Sequence, residues 1–415
     1  MGTSWGTRSF VATGAVAALL LTPAAAQAAA SAGTVVQVDV ASDGTSGNGY
    51  AGELDFSDDG RWAAFTSASS NLTAGDTNDT YDVFVRDLNS RRTTMLSRGV
   101  GGQPANGFTA DVAISGDGRF VAFTSYASNL VADDLNGERD VFFTDRRTGV
   151  ITKISDGTGF QYQPSISDDG RFVSYLKSDF LNGNGQDAYV LDRRTGVTRQ
   201  VTVTGPTGAV FEARLSGNGR WLVFSGGGNL TGDGGSASAV YRADLTTGTT
   251  TRVSPQTLGG EPVDAATPAV DRSGTKVLYT TTAGLDPADT NQTTDVYLSD
   301  LTAGTTVLVS AGRSGAGNGE SFRGGLSADG RYAGLYSTAT DLVANDGNGE
   351  VTDVFRRDLR TKRTTLISRS RSGTAANGYS RGGIPSGDGS RILFSSSATN
   401  LVAGAGDGLD HVFVR

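Results

Sequence analysis

The residues best placed to do chemistry lie in short acidic loops that recur along the chain. One reads Asp76-Thr77-Asn78-Asp79-Thr80-Tyr81-Asp82, a second Asp134-Leu135-Asn136-Gly137-Glu138-Arg139-Asp140, and a third Asp289-Thr290-Asn291-Gln292-Thr293-Thr294-Asp295. Asp346-Gly347-Asn348 with Asp353 repeats the pattern with one extra residue. A hard cation such as Ca²⁺ takes about six to eight oxygens from carboxylates, amides and backbone carbonyls. A D-x-N-x-x-x-D loop can offer several of them, so Asp76, Asn78 and Asp82, Asp134, Asn136 and Asp140, and Asp289, Asn291 and Asp295 are candidate ligands. The loops lack the bidentate Glu that completes an EF-hand. The same side chains can cap a turn by bonding nearby backbone amides, and the pattern decays to Gly232-Asp233-Gly234 in one copy. Capping and cation binding both remain open, and no cofactor other than Ca²⁺ is suggested.

Signals for catalysis are thin. Cys is absent, and the single His, His411, follows Asp410 near the end of the chain. A Ser-His-Asp triad would have to use that one imidazole, whereas a lone histidine in a strand more often packs or faces solvent. Gly-rich stretches lack both the Lys-Ser/Thr of a phosphate loop and a βαβ context. Without Cys, stability must come from packing and closure rather than disulfides. The 43 acidic and 35 basic residues leave a net charge of −8, which opposes nonspecific binding to nucleic acid or anionic membrane.

The first residues have the form of a secretory signal. Arg8 is the sole charge of the leader, an apolar run follows over residues 10–21, and Ala26-Gln27-Ala28 is a small-residue cleavage pattern. The run is too short for a spanning helix, which needs about 20 apolar residues. The reading is a signal peptide over 1–28 and a mature protein exported in soluble form, with no insertion into the membrane.

What must position the acidic loops is a repeat. Ser57-Asp58-Asp59-Gly60-Arg61 returns as Ser115-Gly116-Asp117-Gly118-Arg119, Ser167-Asp168-Asp169-Gly170-Arg171 and Ser216-Gly217-Asn218-Gly219-Arg220. Three further copies fall at Asp271-Arg272-Ser273-Gly274, Ser327-Ala328-Asp329-Gly330-Arg331 and Ser386-Gly387-Asp388-Gly389. Seven copies at a near-constant period imply one repeat architecture rather than separate domains. Each copy reads as four strands, for example Asp111-Val112-Ala113-Ile114, Phe120-Val121-Ala122-Phe123-Thr124, Asp140-Val141-Phe142-Phe143 and Val150-Ile151-Thr152-Lys153-Ile154. Asp-x-x-Thr-Gly turns, as at Asp145 and Gly149, join the last two, because Asp bonds turn amides and Gly accepts positive φ. Four antiparallel strands repeated seven times make an all-β, seven-bladed propeller over residues 34–415. The last blade stops at its third strand, His411-Val412-Phe413-Val414, and residues 35–40 (Val-Val-Gln-Val-Asp-Val) supply an extra strand at the other end. Pairing the two closes the ring and hides an open edge.

Repeat geometry then gathers a second set of residues. Glu53, Asp111, Gln163, Glu212, Thr267, Arg323 and Gly382, with Arg381 adjacent, occupy corresponding first-strand positions at one mouth of the central channel. Beside them recur Asn48-Gly49-Tyr50, Asn106-Gly107-Phe108 and Asn377-Gly378-Tyr379, as tight turns whose aromatics either pack between blades or face a ligand.

The segment Ser-x-Asp-Gly-Arg-x-x-Ala-Phe-x-Ser over residues 115–125 resembles the WD40-like (PD40) repeat of TolB-type propellers, and the resemblance extends over roughly 34–415. It implies the propeller fold. TolB itself adds an N-terminal α/β domain that contacts its partners, and this sequence leaves no room for one, so a Tol–Pal role is not carried over with the fold. The expectation is a monomeric, secreted, non-enzymatic binding propeller that recognises a protein, peptide or carbohydrate at one mouth. Two alternatives stand beside it: a polysaccharide hydrolase or lyase using Glu53, Asp111 and Glu212, and a calcium-stabilised structural module.

Overall fold

The computed structural model describes residues 33–156, 158–178, 185–202, 209–227, 238–344, 346–404 and 407–415, with Met1 and Leu230. The leader and the Gly232-Asp233-Gly234 loop lie outside the described residues. Every regular element among the described residues is a strand, and none of them is a helix able to cross a membrane.

The turn motif shows why its residue types recur. Ser57 Oγ donates to Asp59 Oδ1 (2.6 Å) and accepts from Trp62 N (2.9 Å), while Asp59 Oδ1 accepts from Arg61 N (2.9 Å). Gly60 sits at φ 64°, a conformation that a Cβ disfavours. The Arg of the motif reaches past the turn to the end of the third strand: Arg61 pairs with Asp87, Arg171 with Asp192 (both 2.7 Å), and Arg220 with Asp244 (2.8 Å). The same Asp caps the next turn, as Asp192 Oδ1 does for Arg194 N (3.0 Å). One carboxylate therefore fixes two hairpins.

These turns set seven four-stranded antiparallel groups. Unit one is Ala51–Phe56, Trp62–Ser67, Asp82–Asp87 and Arg92–Met95; unit two is Thr109–Ile114, Phe120–Ser125, Asp140–Asp145 and Val150–Lys153. Units three and four begin at Phe160–Ile166 and Ala209–Leu215 and share one eight-stranded sheet through a single parallel bridge, Gln186 to Ala209. Units five and six begin at Ala266–Val270 and Ser321–Leu326, and a two-stranded hairpin, Thr257–Leu258 with Glu261–Pro262, precedes unit five.

The seventh group joins the two ends of the sequence. Ser380–Pro385, Ile392–Ser396 and His411–Val414 are completed by Val36–Gln37, which pairs antiparallel with the last strand in the register Val36 to Val414 and Gln37 to Phe413. Val38 N continues the ladder to Val412 O (2.7 Å). Second and third strands carry the core: Phe65 stacks on Phe84 and Phe394 on Phe413 at 5.7 Å between ring centres, and all four are fully buried.

One contact recurs at five of the junctions between units. The start of a first strand donates to the residue just before the preceding unit's third strand: Thr109 N to Tyr81 O, Gln161 N to Arg139 O, Ser321 N to Thr294 O and Ser380 N to Thr352 O. Ala51 N makes the same bond to Asp410 O (2.9 Å), from unit one to unit seven.

Candidate functional site

The sequence-derived mouth residues owe their placement to a bulge in every first strand. Register slips between Ala51 and Leu54, Ala110 and Val112, Tyr162 and Ser165, and Val210 and Glu212. It slips again between Ala266 and Ala269, Arg323 and Leu326, and Gly382 and Ile384. A bulge leaves one residue unpaired and re-aims its side chain. Gln163 (φ 51°) and Thr267 (φ 49°) hold left-handed backbone there, and Gly382 (φ 90°) does so with no Cβ. A β-branched Thr in that region is a strained residue, of the kind that collects at sites of function.

Glu53, Gln163, Glu212, Thr267, Arg323, Arg381 and Gly382 all line one depression of about 570 Å³. Asp111 stands deeper, in an adjoining cavity of about 290 Å³ whose wall again includes Glu53, Gln163 and Arg323. Most of these charges are already engaged. Asp111 accepts from Arg139 (2.6 Å), Gln163 N (2.9 Å) and Thr124 Oγ1 (3.1 Å). Glu212 takes Arg214 (2.8 Å) and Arg323, and Arg323 also donates to Thr267 O (2.7 Å) and Gly324 O (2.9 Å). Burial would raise the Glu212 carboxyl, but Arg323 and then Arg214 outweigh it and hold the group below its ordinary value. Arg381, largely exposed, pairs with Asp410.

Glu53 differs. Its side chain has neither an ion pair nor a hydrogen bond among the described residues. Its surface is open to the depression although walls crowd it on several sides, and that crowding, then the negative charge of Asp111, raises its pKa. Tyr50, Tyr81, Phe322 and Tyr336 frame the same depression.

The Asn-Gly-aromatic loops divide into two functions. Asn48 is structural: its side chain bonds Ser70 Oγ (3.1 Å) and accepts from Ser70 N (3.0 Å). The aromatic that follows keeps an exposed face, although Phe108 also packs edge-on against Tyr81 of unit one (5.4 Å between ring centres). Tyr50, Phe108 and Tyr379 are 53%, 46% and 65% exposed, and Phe160 at the corresponding position of unit three is 41% exposed. Four consecutive units, seven through three, thus present a ring beside the mouth.

A charged bridge that the turn motif concealed lies at the other side of the inner cavity. Arg272 of unit five pairs with Asp58 of unit one and, through Nε, with Asp168 of unit three (2.6 Å). Burial and then the Asp58 charge lift Asp168 to about 6, against the pull of Arg272. All three occupy the variable second position of the turn motif. The series Asp58, Gly116, Asp168, Gly217, Arg272, Ala328, Gly387 alternates charged and small residues, and that alternation was the available signal. A Cβ on Gly387 would come within 2.9 Å of the Asp58 Cβ, and one on Gly217 would overlap the Asp168 carboxylate. The small residues make room for the charged ones.

The acidic loops are placed at the ends of third strands. In unit two, Asn136 Nδ2 donates to Asp140 Oδ2 (2.9 Å), and Lys153 Nζ lies 2.9 Å from Asp134 and 2.7 Å from Asp140. In unit one, Asn78 Nδ2 bonds Asp82 Oδ2 (2.7 Å) and Ala105 O (2.8 Å), with Asp76 beside them. In unit five, Tyr297 donates to Asp289 (2.5 Å), Asn291 Nδ2 to Gly317 O (2.6 Å), and Ser310 Oγ to Asp295 Oδ1 (2.6 Å). Turn capping is therefore present. Among the described residues, no three His, Cys, Asp or Glu side chains converge as a metal-binding group.

His411 is the centre of a buried pair that spans the chain ends. Its Nδ1 meets Asp39 Oδ2 at 2.6 Å and its Nε2 meets Asp407 Oδ1 at 2.9 Å, while its neighbour in sequence, Asp410, turns to Arg381. Burial alone would depress the imidazole, but Asp39 and then Asp407 raise it to about 9. With both nitrogens facing carboxylates and the ring 1% exposed, it is not poised to activate a serine.

No family model matches the chain. Over 71 residues it is 27% identical to dipeptidyl-peptidase 5 of Porphyromonas endodontalis, a stretch that makes up 17% of this chain and only 10% of that protein. Among solved structures it is similar to the β-propeller domain of the Trilobed protease from Pyrococcus furiosus, at 10% identity and a TM-score of 0.55 over 88% of this chain and 95% of that one. TolB from Acinetobacter baumannii aligns at 17% identity over 74% of this chain and 64% of that one, with a TM-score of 0.46. At such identities the likeness is one of fold. The antiparallel four-stranded units and the structural neighbours define a β-propeller.

Proposed function

We propose that the protein is an exported, monomeric β-propeller of seven blades, a single domain over 34–415 closed by its N-terminal strand. In this reading it acts without catalysis, by binding a partner at the mouth that holds Glu53. Closure is supported by the bond from Ala51 N to Asp410 O, which repeats the joint at four other junctions between units, and by Gly387 N to Asp58 O (2.8 Å) and Arg391 Nη1 to Gly60 O (2.7 Å). Export rests on the leader ending near Ala28.

The observation that carries the binding reading is the unpartnered Glu53 carboxylate in an aromatic-framed depression. An acceptor so placed suits a cationic group, and the surrounding rings suit its aliphatic stem or a cation–π contact. The ligand class that fits is a peptide or protein loop bearing Lys or Arg. The arc of exposed rings formed by Tyr379, Tyr50, Phe108 and Phe160 favours a glycan as the second reading. A two-carboxylate hydrolase has less support, because Asp111 and Glu212 are held in ion pairs and only Glu53 stands free.

The test is calorimetric titration of the purified chain with Lys/Arg-containing peptides and with neutral oligosaccharides. Glu53→Gln should weaken the cationic peptide about tenfold or more while the melting temperature holds, since a charge-assisted hydrogen bond is worth about 1.5–3 kcal/mol. Equal affinity in the variant removes the assignment, and binding of the oligosaccharide alone selects the second reading.

A further inference from the structure

The acidic loops differ between units at one further position. In unit two, the fourth-strand residue paired with the third-strand aromatic reaches the loop's two carboxylates. That residue is Lys153 (opposite Phe142), but the same position holds Met95 in unit one (opposite Phe84), Leu308 in unit five (opposite Tyr297) and Leu366 in unit six (opposite Phe355). Lys153 places an ammonium between Asp134 and Asp140, two buried carboxylates at the base of a loop whose tip, at Leu135, is exposed. Units one, five and six keep both carboxylates, as Asp76 with Asp82, Asp289 with Asp295 and Asp346 with Asp353, while the three apolar residues are buried and bring no counter-charge. In unit one Arg98 supplies a positive charge near Asp76 and Asp82 instead, so the deficit lies in units five and six.

The oxygens show the deficit directly. Asp295 is fully buried and its Oδ2 lacks a partner at hydrogen-bond geometry; Asn291 lies near it, but its amide makes its close bond to Gly317 O (2.6 Å). In unit six, Asp346 Oδ1 and Asn348 Oδ1 are likewise buried without partners. A buried carboxylate oxygen left unbonded is costly, and such an atom calls for a missing group. Turn capping does not supply it, because Asn348 Nδ2 is already spent on Asp353 Oδ2 (2.6 Å) and Ala376 O (2.7 Å).

The geometry points to a divalent cation of the calcium type seated between the two carboxylates in units five and six, at the place where unit two carries the Lys153 ammonium. The donors are hard oxygens only: two carboxylates and an Asn carbonyl, with room left for water or backbone oxygen.

Equilibrium dialysis of the mature protein with CaCl₂ after chelation, read by elemental analysis, should find about two Ca²⁺ per chain, and MgCl₂ should bind more weakly because Mg²⁺ demands tighter octahedral geometry. Leu308→Lys, which copies unit two into unit five, should lower the stoichiometry by one and make the melting temperature less sensitive to chelator. Lys153→Met should raise the stoichiometry by one. If the lysine variant fails to fold, Asp295→Asn is the second route to the same loss. Absence of calcium binding by the parent protein overturns the proposal, as does a stoichiometry that neither lysine change moves. Peptide binding at Glu53 is measured separately, so the two readings fail independently.

Discussion

The buried pair His411–Asp39 should decide whether the two ends of the chain are clamped together, and a swap already present elsewhere in the molecule makes the test quantitative. In units one, two, five and six the corresponding positions hold Asp on the third strand and Ser two residues past the fourth: Asp82 with Ser97, Asp140 with Ser155 (2.6 Å), Asp295 with Ser310 (2.6 Å) and Asp353 with Ser368. Each such Ser Oγ also accepts the next third-strand amide, as Ser310 does from Val296 N (2.9 Å). In unit seven the roles are inverted: His411 stands where Asp does, and Asp39 Oδ1 accepts Val412 N (3.0 Å). His411→Asp alone would bury two carboxylates face to face, and Asp39→Ser alone would leave the imidazole with Asp407 as its one carboxylate, beside Gln37 (3.2 Å). Breaking a buried pair from one side costs about 3–5 kcal/mol. The double variant Asp39→Ser with His411→Asp rebuilds the arrangement of the other units, so it should recover most of that loss and show a large favourable coupling. Urea unfolding of the four proteins at pH 7 gives the cycle. A double variant as unstable as the two singles added together would refute the reasoning.

The same pair fixes a pH dependence. The His411 pKa is raised in the folded state from 6.5 to about 9. A group raised on folding contributes its full stability below its unfolded pKa, and that contribution is lost as pH climbs through the folded value. At about 1.4 kcal/mol per pH unit, the loss between pH 6.5 and 9 is about 3 kcal/mol. Stability should therefore fall over that window in the parent and stay flatter in the double variant.

Removing residues 35–40 should expose the His411–Val414 strand and the buried Phe413, giving aggregation in size-exclusion chromatography; a soluble monomer of unchanged melting temperature would contradict the closure. Gly217→Ala should cost about 1–3 kcal/mol in thermal unfolding, because its Cβ would overlap the Asp168 carboxylate where it meets Arg272. Gly137→Ala, at a left-handed but uncrowded turn, should cost only the backbone strain, about 1 kcal/mol, and equal losses for the two would count against the crowding argument.

Much of this protein could be read from one chain because its local rules are repeated. The Ser-x-Asp-Gly-Arg turn, the Asp-x-x-Thr-Gly turn and alternating apolar runs act over a few residues, so composition and spacing suffice to place four strands per unit. The complement between residues 35–40 and the unfinished last unit was legible for the same reason: one unit had three strands and the other end of the chain had one to spare. Counting along the repeat also brought Glu53, Gln163, Glu212, Thr267, Arg323, Arg381 and Gly382 to one depression.

What the sequence could not state was which side chains find partners. Glu53, Asp111 and Glu212 looked equivalent by position, but Arg139 is brought to Asp111 from the loop before a third strand, and Arg323 reaches Glu212 from two units away. Arg272, Asp58 and Asp168 sit over a hundred residues apart in part and meet only through the packing of three units. The acidic loops read alike until the fourth strand set Lys153 against one of them, at a position where the other units carry Met95, Leu308 and Leu366. Backbone pattern is local and periodic, so the sequence by itself determined the strands and their order. Charge pairing depends on distances between segments far apart in the chain, and only the tertiary structure decided it.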